Sequence, residues 1–269
     1  MNSNSISVID LFNMESAIAT EFRRLLNLLQ NPSDHRELKS ILITSAMLSE
    51  GKTTVSGFLA LTASRKGLKT LLIDCDMRRP SIHKLFNMPR EGGLVEIISE
   101  GTAAKNVLKK TAIDKLDIIT AGKVVSHPSE VFDSAAIGRV LGEMKFYYDL
   151  IICDTAPIIP VSDPMLLAPE VDGVLIVVKA GATQRQIILR AKEIMAGTAN
   201  KILGVVLNNA DNSLPYYYNH GYYGYEYGQT PTGARRSRTG EKGSEGSSDG
   251  KNNRKADRKA EPKPGNTIS

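Results

Sequence analysis

The chain lacks long apolar segments and has little cysteine. No run of about 18 apolar residues, the length that a membrane-spanning helix needs, occurs in it. Its first residues also lack the basic-then-apolar pattern of a secretory leader. Cys75 and Cys153 lie beside acidic residues at the ends of apolar runs, which indicates small core residues in a reducing cytosol rather than a metal site. We therefore expect a cytoplasmic protein that is peripheral at the inner face of the cell membrane only through a partner.

Positive charge is concentrated at one end of the chain. The formal net charge is +5. Residues 230–269 carry ten Lys/Arg and five Asp/Glu, so the remainder of the chain is balanced. The basic character therefore does not predict a nucleic-acid-binding surface on the fold. This tail has almost no large apolar residues and is predicted to be disordered, either as a solvated end or as a segment that touches anionic lipid or polymer.

Apolar runs of the strand type alternate with segments of helical periodicity. Unbroken Val/Ile/Leu runs are typical of strands in a parallel sheet that is covered on both faces. We predict an α/β fold, a doubly wound, mostly parallel sheet with helices on both faces and a disordered C-terminal tail. The predicted strands are 38–44, 70–74, 116–120, 148–154, 173–178 and 202–207. The predicted helices are 12–30, 54–64, 94–100, 129–145, 164–168 and 184–195. The predicted segments are a flexible N-terminus (1–11), a core domain (12–212), a tyrosine cluster (213–229) and the tail (230–269).

A phosphate-binding loop is predicted between the first strand and the helix that follows it. The loop ends in Gly51-Lys52-Thr53, and only the first glycine of the P-loop pattern is missing, with Ala46 in its place. Backbone N–H groups of such a loop face a polyphosphate, while Lys52 can reach the β- and γ-phosphates and the Thr53 hydroxyl can ligate Mg²⁺. The residues predicted to contact the nucleotide here are Ser49, Glu50, Gly51, Lys52, Thr53 and Thr54.

Acidic residues end two further strands. Asp74 and Asp76 follow one apolar run, and Asp154 ends another. In a doubly wound sheet these ends lie at the edge where ligands bind, so the three carboxylates would meet Lys52 there. Mg·ATP chemistry needs carboxylates for Mg²⁺ and for the nucleophile. Each Asp could instead cap the next helix or turn, but three such carboxylates beside a P-loop favour chemistry.

Seven of the nine tyrosines lie in one short segment after the last predicted strand. They are Tyr216, Tyr217, Tyr218, Tyr222, Tyr223, Tyr225 and Tyr227. Gly221 and Gly224 interrupt the segment and Gly228 follows it, and no period of a helix or strand organises it. It is either a low-complexity segment for stacking and self-association or a set of phosphate acceptors, since each phosphate adds about −1.5 to −2 charges.

These motifs together resemble those of the bacterial tyrosine kinases of the P-loop type, whose fold is similar to that of partitioning ATPases. The similar segments are the P-loop 46–54, the run 71–80 (the family's A′ motif), the run 150–157 (its Walker B motif), Pro128-Ser-Glu130, the run 177–183 and the C-terminal tyrosines. The resemblance implies a tyrosine autokinase with ATP and Mg²⁺ as cofactors. Lys52 would hold the phosphates, Thr53 and Asp154 would order Mg²⁺, and Asp74 and Asp76 would share Mg²⁺ and activate the nucleophile. Asn208 would contact the adenine.

The resemblance also implies partners. Kinases of this family phosphorylate the tyrosine cluster of a neighbouring subunit in a homo-oligomeric ring such as an octamer, and a tyrosine phosphatase reverses the modification. They regulate capsule or exopolysaccharide synthesis and export with a membrane-embedded chain-length regulator, which would be a separate protein here. The family's oligomerisation motif is E-x-x-R-x-x-R. Glu21 and Arg24 match it, whereas Asn27 stands at its third position.

Two other functions would fit parts of the chain. A partitioning or positioning ATPase shares the fold, but it carries a second signature lysine where this chain has Met47, and it gives no reason for the tyrosines. A non-catalytic adaptor could use the Tyr/Gly segment for binding. Its catalytic motifs would be expected to be damaged, whereas here only Ala46 departs from the pattern.

Overall fold

A seven-stranded sheet forms the centre of the molecule. The computed structural model of the chain describes residues 13, 15–30 and 38–210, without the side chains of 198–200. The strands are β1 (Ser40–Ser45), β2 (Thr70–Asp74), β3 (Lys109–Lys110), β4 (Leu116–Ile119), β5 (Leu150–Asp154), β6 (Gly173–Lys179) and β7 (Ile202–Asn208). Their order is β3-β4-β2-β5-β1-β6-β7, and every neighbouring pair is parallel except β3 and β4. The parallel strands therefore end at one edge, the carboxyl edge, and begin at the opposite, amino edge.

Helices connect the strands. They are α1 (Ala17–Leu29), α2 (Lys52–Arg65), α3 (Ile82–Leu85), α4 (Leu94–Glu100), α5 (Ala104–Val107), α6 (Pro128–Val131), α7 (Ser134–Met144), α8 (Asp163–Leu167) and α9 (Arg185–Ile194). Short 3₁₀ turns follow α8 and α9 at Ala168–Glu170 and Ala196–Lys201.

Each face of the sheet carries its own apolar core. On one face, α1 and α2 pack against strand residues that include Ile41, Ile43 and Ile152. On the other face, residues of α4, α5, α7 and α8 pack against alternating strand residues such as Leu42 and Ile151. Strands β1, β2 and β5 are fully buried, as unbroken apolar runs between two helical layers require. The predicted doubly wound sheet is thus confirmed.

One predicted helix is wrong. Residues 129–145 were expected to form one continuous helix, but α6 ends at Val131 and α7 begins at Ser134. Phe132 and Asp133 are extended between them. The Asp133 carboxylate accepts the Ala136 N–H at 3.0 Å and so caps α7. A capping aspartate thus starts a second helix where the apolar period alone predicted continuity.

The other boundaries differ from the predicted ones by a few residues, and the short elements α3, α5 and β3 were not predicted. Within the described ranges, no helix is long and apolar enough to cross a membrane. The predicted flexible N-terminus (1–11), the tyrosine cluster and the basic tail lie outside the described residues.

Candidate active site

The predicted site residues converge at the carboxyl edge. Strand β5 lies between β1 and β2, so Asp154 is in register with Ile43 on one side and with Asp74 on the other. The loop from β1 to α2 carries the P-loop residues to the same place. Parallel pairing of three neighbouring strands therefore brings the lysine and the three predicted carboxylates together.

The P-loop is held from within and from two neighbouring loops. Glu50 is buried, and its carboxylate accepts the Met47 N–H at 2.7 Å and the Thr183 hydroxyl. The Asn208 side-chain amide donates to the Glu50 carbonyl at 2.9 Å. Glu50 thus braces the loop through its side chain, and Asn208, predicted to contact adenine, lies against the loop itself.

Gly51 is required at the end of this loop. Its φ of +91° lies in the left-handed region, and a Cβ there would lie 2.1 Å from Asn208 Nδ2. The residue is the N-cap of the 14-residue helix α2, and no side chain caps that helix. The backbone N–H groups of its first turn therefore suit an anion, which the helix dipole also favours.

Lys52 stands at the centre of the acidic residues. Its Nζ lies 3.0 Å from Asp76 Oδ2, 4.0 Å from Asp154 Oδ2 and 3.3 Å from Thr53 Oγ1. Burial alone would lower the pKa of Lys52, but attraction to Asp154 and Asp76 outweighs it and raises that pKa. The amine is thus held protonated and can offer its charge to phosphate oxygens.

Two hydroxyls of α2 hold Asp154. Thr53 Oγ1 donates to Asp154 Oδ2 at 2.6 Å, and Ser56 Oγ donates to Oδ1 at 3.1 Å. Ser56 was not among the predicted residues, although it lies one helical turn after Lys52. Burial is the main reason that the pKa of Asp154 is raised, and Lys52 and the Thr53 hydroxyl oppose this rise.

Asp74 is fully buried, and its hydrogen bonds with described residues come from backbone N–H groups. Its Oδ2 accepts the N–H groups of Ser81 and Ile82 at 3.0 Å each, and its Oδ1 accepts that of Asp76 at 3.2 Å. Burial, followed by repulsion from Asp154, raises the pKa of Asp74 to about 7. The carboxyl group can therefore gain or lose a proton near neutral pH, as a general base must.

The residues present fit a nucleotide with Mg²⁺. Within the part of the chain that the structure describes, no three His, Cys, Asp or Glu side chains form a metal cage. Mg²⁺ in phosphate sites does not need one, because it is bound by one or two protein oxygens together with phosphates and waters. Thr53 and the carboxylates of Asp154, Asp76 and Asp74 supply such oxygens beside the uncapped helix.

The remaining predicted residues lie at different places. Ser49 is exposed in the P-loop with a φ of 61°, and Thr54 is half-buried in the first turn of α2. Glu21 and Arg24 lie on α1, where they form an exposed ion pair of 2.6 Å with each other. The seven tyrosines lie outside the described residues. The contact of Thr183 with Glu50 and the pair Arg78–Asp163 were not predicted, because these partners are distant in the chain.

Comparisons with known proteins identify the family of the chain. Residues 39–202 match a protein family described as AAA domain. CapB of Staphylococcus aureus, named as a tyrosine-protein kinase, is 34% identical over 78% of this chain and 92% of its own length. Tyrosine-protein kinase YwqD of Bacillus subtilis is 31% identical over 81% of this chain and 91% of its own. The solved kinase domain of the Escherichia coli tyrosine kinase ETK is 28% identical and superposes with a TM-score of 0.72 over 77% of this chain and 82% of that one. The chain therefore belongs to the bacterial tyrosine kinases of the P-loop type.

Proposed function

We propose that this kinase transfers the γ-phosphate of ATP to the seven tyrosines between Tyr216 and Tyr227 of a neighbouring subunit. The modification would regulate the synthesis and export of a capsule or other exopolysaccharide. The observation that carries the proposal is the convergence of Lys52, Thr53 and three buried carboxylates at one edge of the sheet. The kinase relatives and the position of the tyrosine cluster beyond β7 support it.

Each side chain of the site has a role in this reaction. Lys52 would hold the β- and γ-phosphates with the backbone N–H groups at the start of α2, and Thr53 and Asp154 would hold Mg²⁺, which neutralises phosphate charge when bound. Asp76 would share Mg²⁺ and compete with phosphate for Lys52. Asp74, whose pKa of about 7 suits proton transfer, would accept the proton of the tyrosine hydroxyl.

Transfer between subunits would require a ring. A head-to-tail contact that closes on itself presents the tyrosines of one subunit to the site of the next. Both Glu21 and Arg24 have about half-exposed side chains on α1, at 49% and 57%, and can therefore meet another subunit. The proposed partners outside the ring are a membrane-embedded chain-length regulator that activates the kinase and a tyrosine phosphatase.

A mixing experiment tests transfer between subunits. A full-length Lys52→Met chain keeps all its tyrosines as acceptors, and an active chain with the seven cluster tyrosines replaced by Phe supplies the catalysis. We expect phosphotyrosine on the Lys52→Met chain when both are mixed with Mg·ATP, and none on either chain alone. An unlabelled Lys52→Met chain beside strong labelling of the wild type would instead indicate transfer within one subunit.

A partitioning or positioning ATPase is not favoured. The P-loop position of that class's signature lysine is held by Met47, whose side chain is partly exposed and whose N–H binds Glu50. The relatives reported above are named as tyrosine kinases. A non-catalytic adaptor is also not favoured, because an adaptor gives no reason for Lys52, Thr53 and three buried carboxylates to lie together at the carboxyl edge.

A further inference from the structure

An ion pair beside the phosphate-binding residues joins two loops of the carboxyl edge. Arg78 Nε lies 3.1 Å from Asp163 Oδ2, and Arg78 Nη2 lies 3.3 Å from Asp163 Oδ1. The guanidinium and the carboxylate thus meet at two points, which fixes their relative direction as well as their distance. The Asp163 side chain is only 4% exposed and that of Arg78 is 32% exposed.

Arg78 belongs to the turn that carries Asp76. It lies two residues after Asp76, and the Asp76 carboxylate accepts the next backbone N–H, that of Arg79, at 2.9 Å. The other oxygen of the same carboxylate contacts Lys52 at 3.0 Å. A shift of the turn at residues 76–79 would therefore displace the carboxylate that faces Lys52.

Asp163 belongs to the loop that follows Asp154. The N–H of Ile158 donates to the Ser45 carbonyl at 2.8 Å, and that of Ile159 donates to the Ala46 carbonyl at 3.2 Å, so the start of the P-loop anchors this loop. Asp163 then begins α8, whose Leu167 is buried in the core. Asp163 is thus held in place by its surroundings, and its two-point ion pair with Arg78 positions the turn that carries Asp76.

We propose that Asp163 is a positioning residue, which holds the Asp76 carboxylate at its place beside Lys52 through Arg78 during phosphoryl transfer. This proposal rests on the proposed function only because it requires that phosphate is transferred at the carboxyl edge. The pair binds none of the P-loop atoms that cradle the phosphates. Its loss therefore lowers kcat by about 10- to 100-fold, the size expected for a small displacement of a reacting group, while the KM for ATP changes by less than about threefold.

The test compares variants of the full chain. Asp163→Asn keeps the shape of the side chain and removes its charge, and Arg78→Ala removes the guanidinium group. The double variant measures how strongly the effects of the two residues depend on each other. Lys145→Met is the matched control. Its pair with Asp172 is 2.7 Å long with both side chains 28% exposed, but it lies at the amino edge. For each chain, kcat and KM for ATP are measured with a synthetic peptide copying residues 213–229, together with ATP hydrolysis without peptide and the melting temperature.

The expected result is a loss of kcat in Asp163→Asn and Arg78→Ala, no further loss in the double variant, and a normal kcat in Lys145→Met. A normal kcat in Asp163→Asn would overturn the proposal, as would losses that multiply in the double variant or that appear only as a raised KM. If Asp163→Asn does not fold, Arg78→Lys tests the proposal instead. It keeps the positive charge but loses the two-point contact of the guanidinium group, so it must still lower kcat. A wild type that hydrolyses ATP without labelling the peptide would contradict the acceptor proposal, while the hydrolysis rates of the variants would still test the ion pair.

Discussion

The pKa values of carboxylates are shifted in opposite directions at the two edges of the sheet. At the amino edge, Asp172 accepts hydrogen bonds from Lys145 and from the backbone and hydroxyl of Ser40, and these outweigh burial and lower its pKa. At the carboxyl edge, burial and mutual repulsion raise the pKa values of Asp74 and Asp154.

The difference lies in how positive charge is shared. Asp172 forms its own ion pair with Lys145, at 2.7 Å. In contrast, Lys52 is shared between Asp76, at 3.0 Å, and Asp154, at 4.0 Å. The hydrogen bonds that Asp74 accepts from described residues come from backbone N–H groups. The amino edge is therefore arranged for stability. The carboxyl edge holds an excess of negative charge that bound Mg²⁺ can neutralise. Such an arrangement is expected of a catalytic site, and it lowers the stability of the folded chain.

The largest expected effect on activity comes from replacing Lys52 at the carboxyl edge, with Lys145 at the amino edge replaced for comparison. Lys52→Met should reduce phosphoryl transfer to about a thousandth or less, because nothing else in the P-loop supplies a charge to the β- and γ-oxygens. Lys145→Met should keep full activity and lower the free energy of unfolding by about 1.5 kcal/mol, the lower end of the range for a hydrogen bond to a charged group. Autophosphorylation rates and urea denaturation of both variants check this. A Lys52→Met chain with near wild-type activity would refute the assignment of the P-loop.

Substitution of Asp74 or Asp76 should affect catalysis much more than ATP binding. Asp74→Asn and Asp76→Asn should each lower the transfer rate by about 100-fold or more, the range of general base catalysis, with ATP affinity changed by less than about threefold. Single-turnover rates and binding of a fluorescent ATP analogue measure the two quantities. If ATP affinity collapses and the rate per bound ATP is unchanged, the two residues are structural.

The pH dependence of stability should have opposite signs at the two edges. Asp74 binds a proton more tightly in the folded chain, so its contribution to the free energy of unfolding falls as pH rises from about 4 to about 7. Asp74→Asn should remove this fall and gain up to about 4 kcal/mol relative to the wild type over that range, since one pKa unit corresponds to about 1.4 kcal/mol. Asp172 has a lowered pKa, so its contribution is present at neutral pH and is lost as pH falls.

Denaturant unfolding of nucleotide-free protein at several pH values tests this contrast. Asp172→Asn should weaken the chain most at neutral pH and least in acid, the reverse of the trend for Asp74→Asn. Parallel pH profiles of the wild type and Asp74→Asn would show that the Asp74 carboxyl group titrates normally.

The smallest effect on stability is expected from Glu21 and Arg24. An exposed pair three residues apart on a helix contributes about 0.5 kcal/mol or less to the free energy of unfolding. If α1 forms the ring contact, Glu21→Ala should leave the melting temperature nearly unchanged and lower the sedimentation coefficient. A variant that sediments like the wild type would place the contact between subunits elsewhere.

The sequence predicted the sheet and the meeting of Lys52 with Asp154 at its carboxyl edge because both follow from short-range signals. Buried parallel strands are unbroken apolar runs, and Lys52, Asp74 and Asp154 each follow or end such a run. The break at Asp133 was missed because a capping side chain interrupts a period that apolar residues alone continue. The brace between Glu50 and Thr183 and the pair Arg78–Asp163 were missed because each joins residues 133 and 85 positions apart, respectively. Only the folded chain brings such residues together.

Mapping of phosphate on the purified 269-residue chain tests most directly whether the kinase modifies its own tyrosine cluster. The wild type is treated with phosphatase, repurified and incubated with or without Mg·ATP, and the modified residues are identified by mass spectrometry beside Lys52→Met. We expect ATP-dependent phosphate on several of the seven tyrosines from Tyr216 to Tyr227, and none on Lys52→Met alone. A wild-type chain that hydrolyses ATP with these tyrosines unmodified, or a Lys52→Met chain that labels itself, would contradict it.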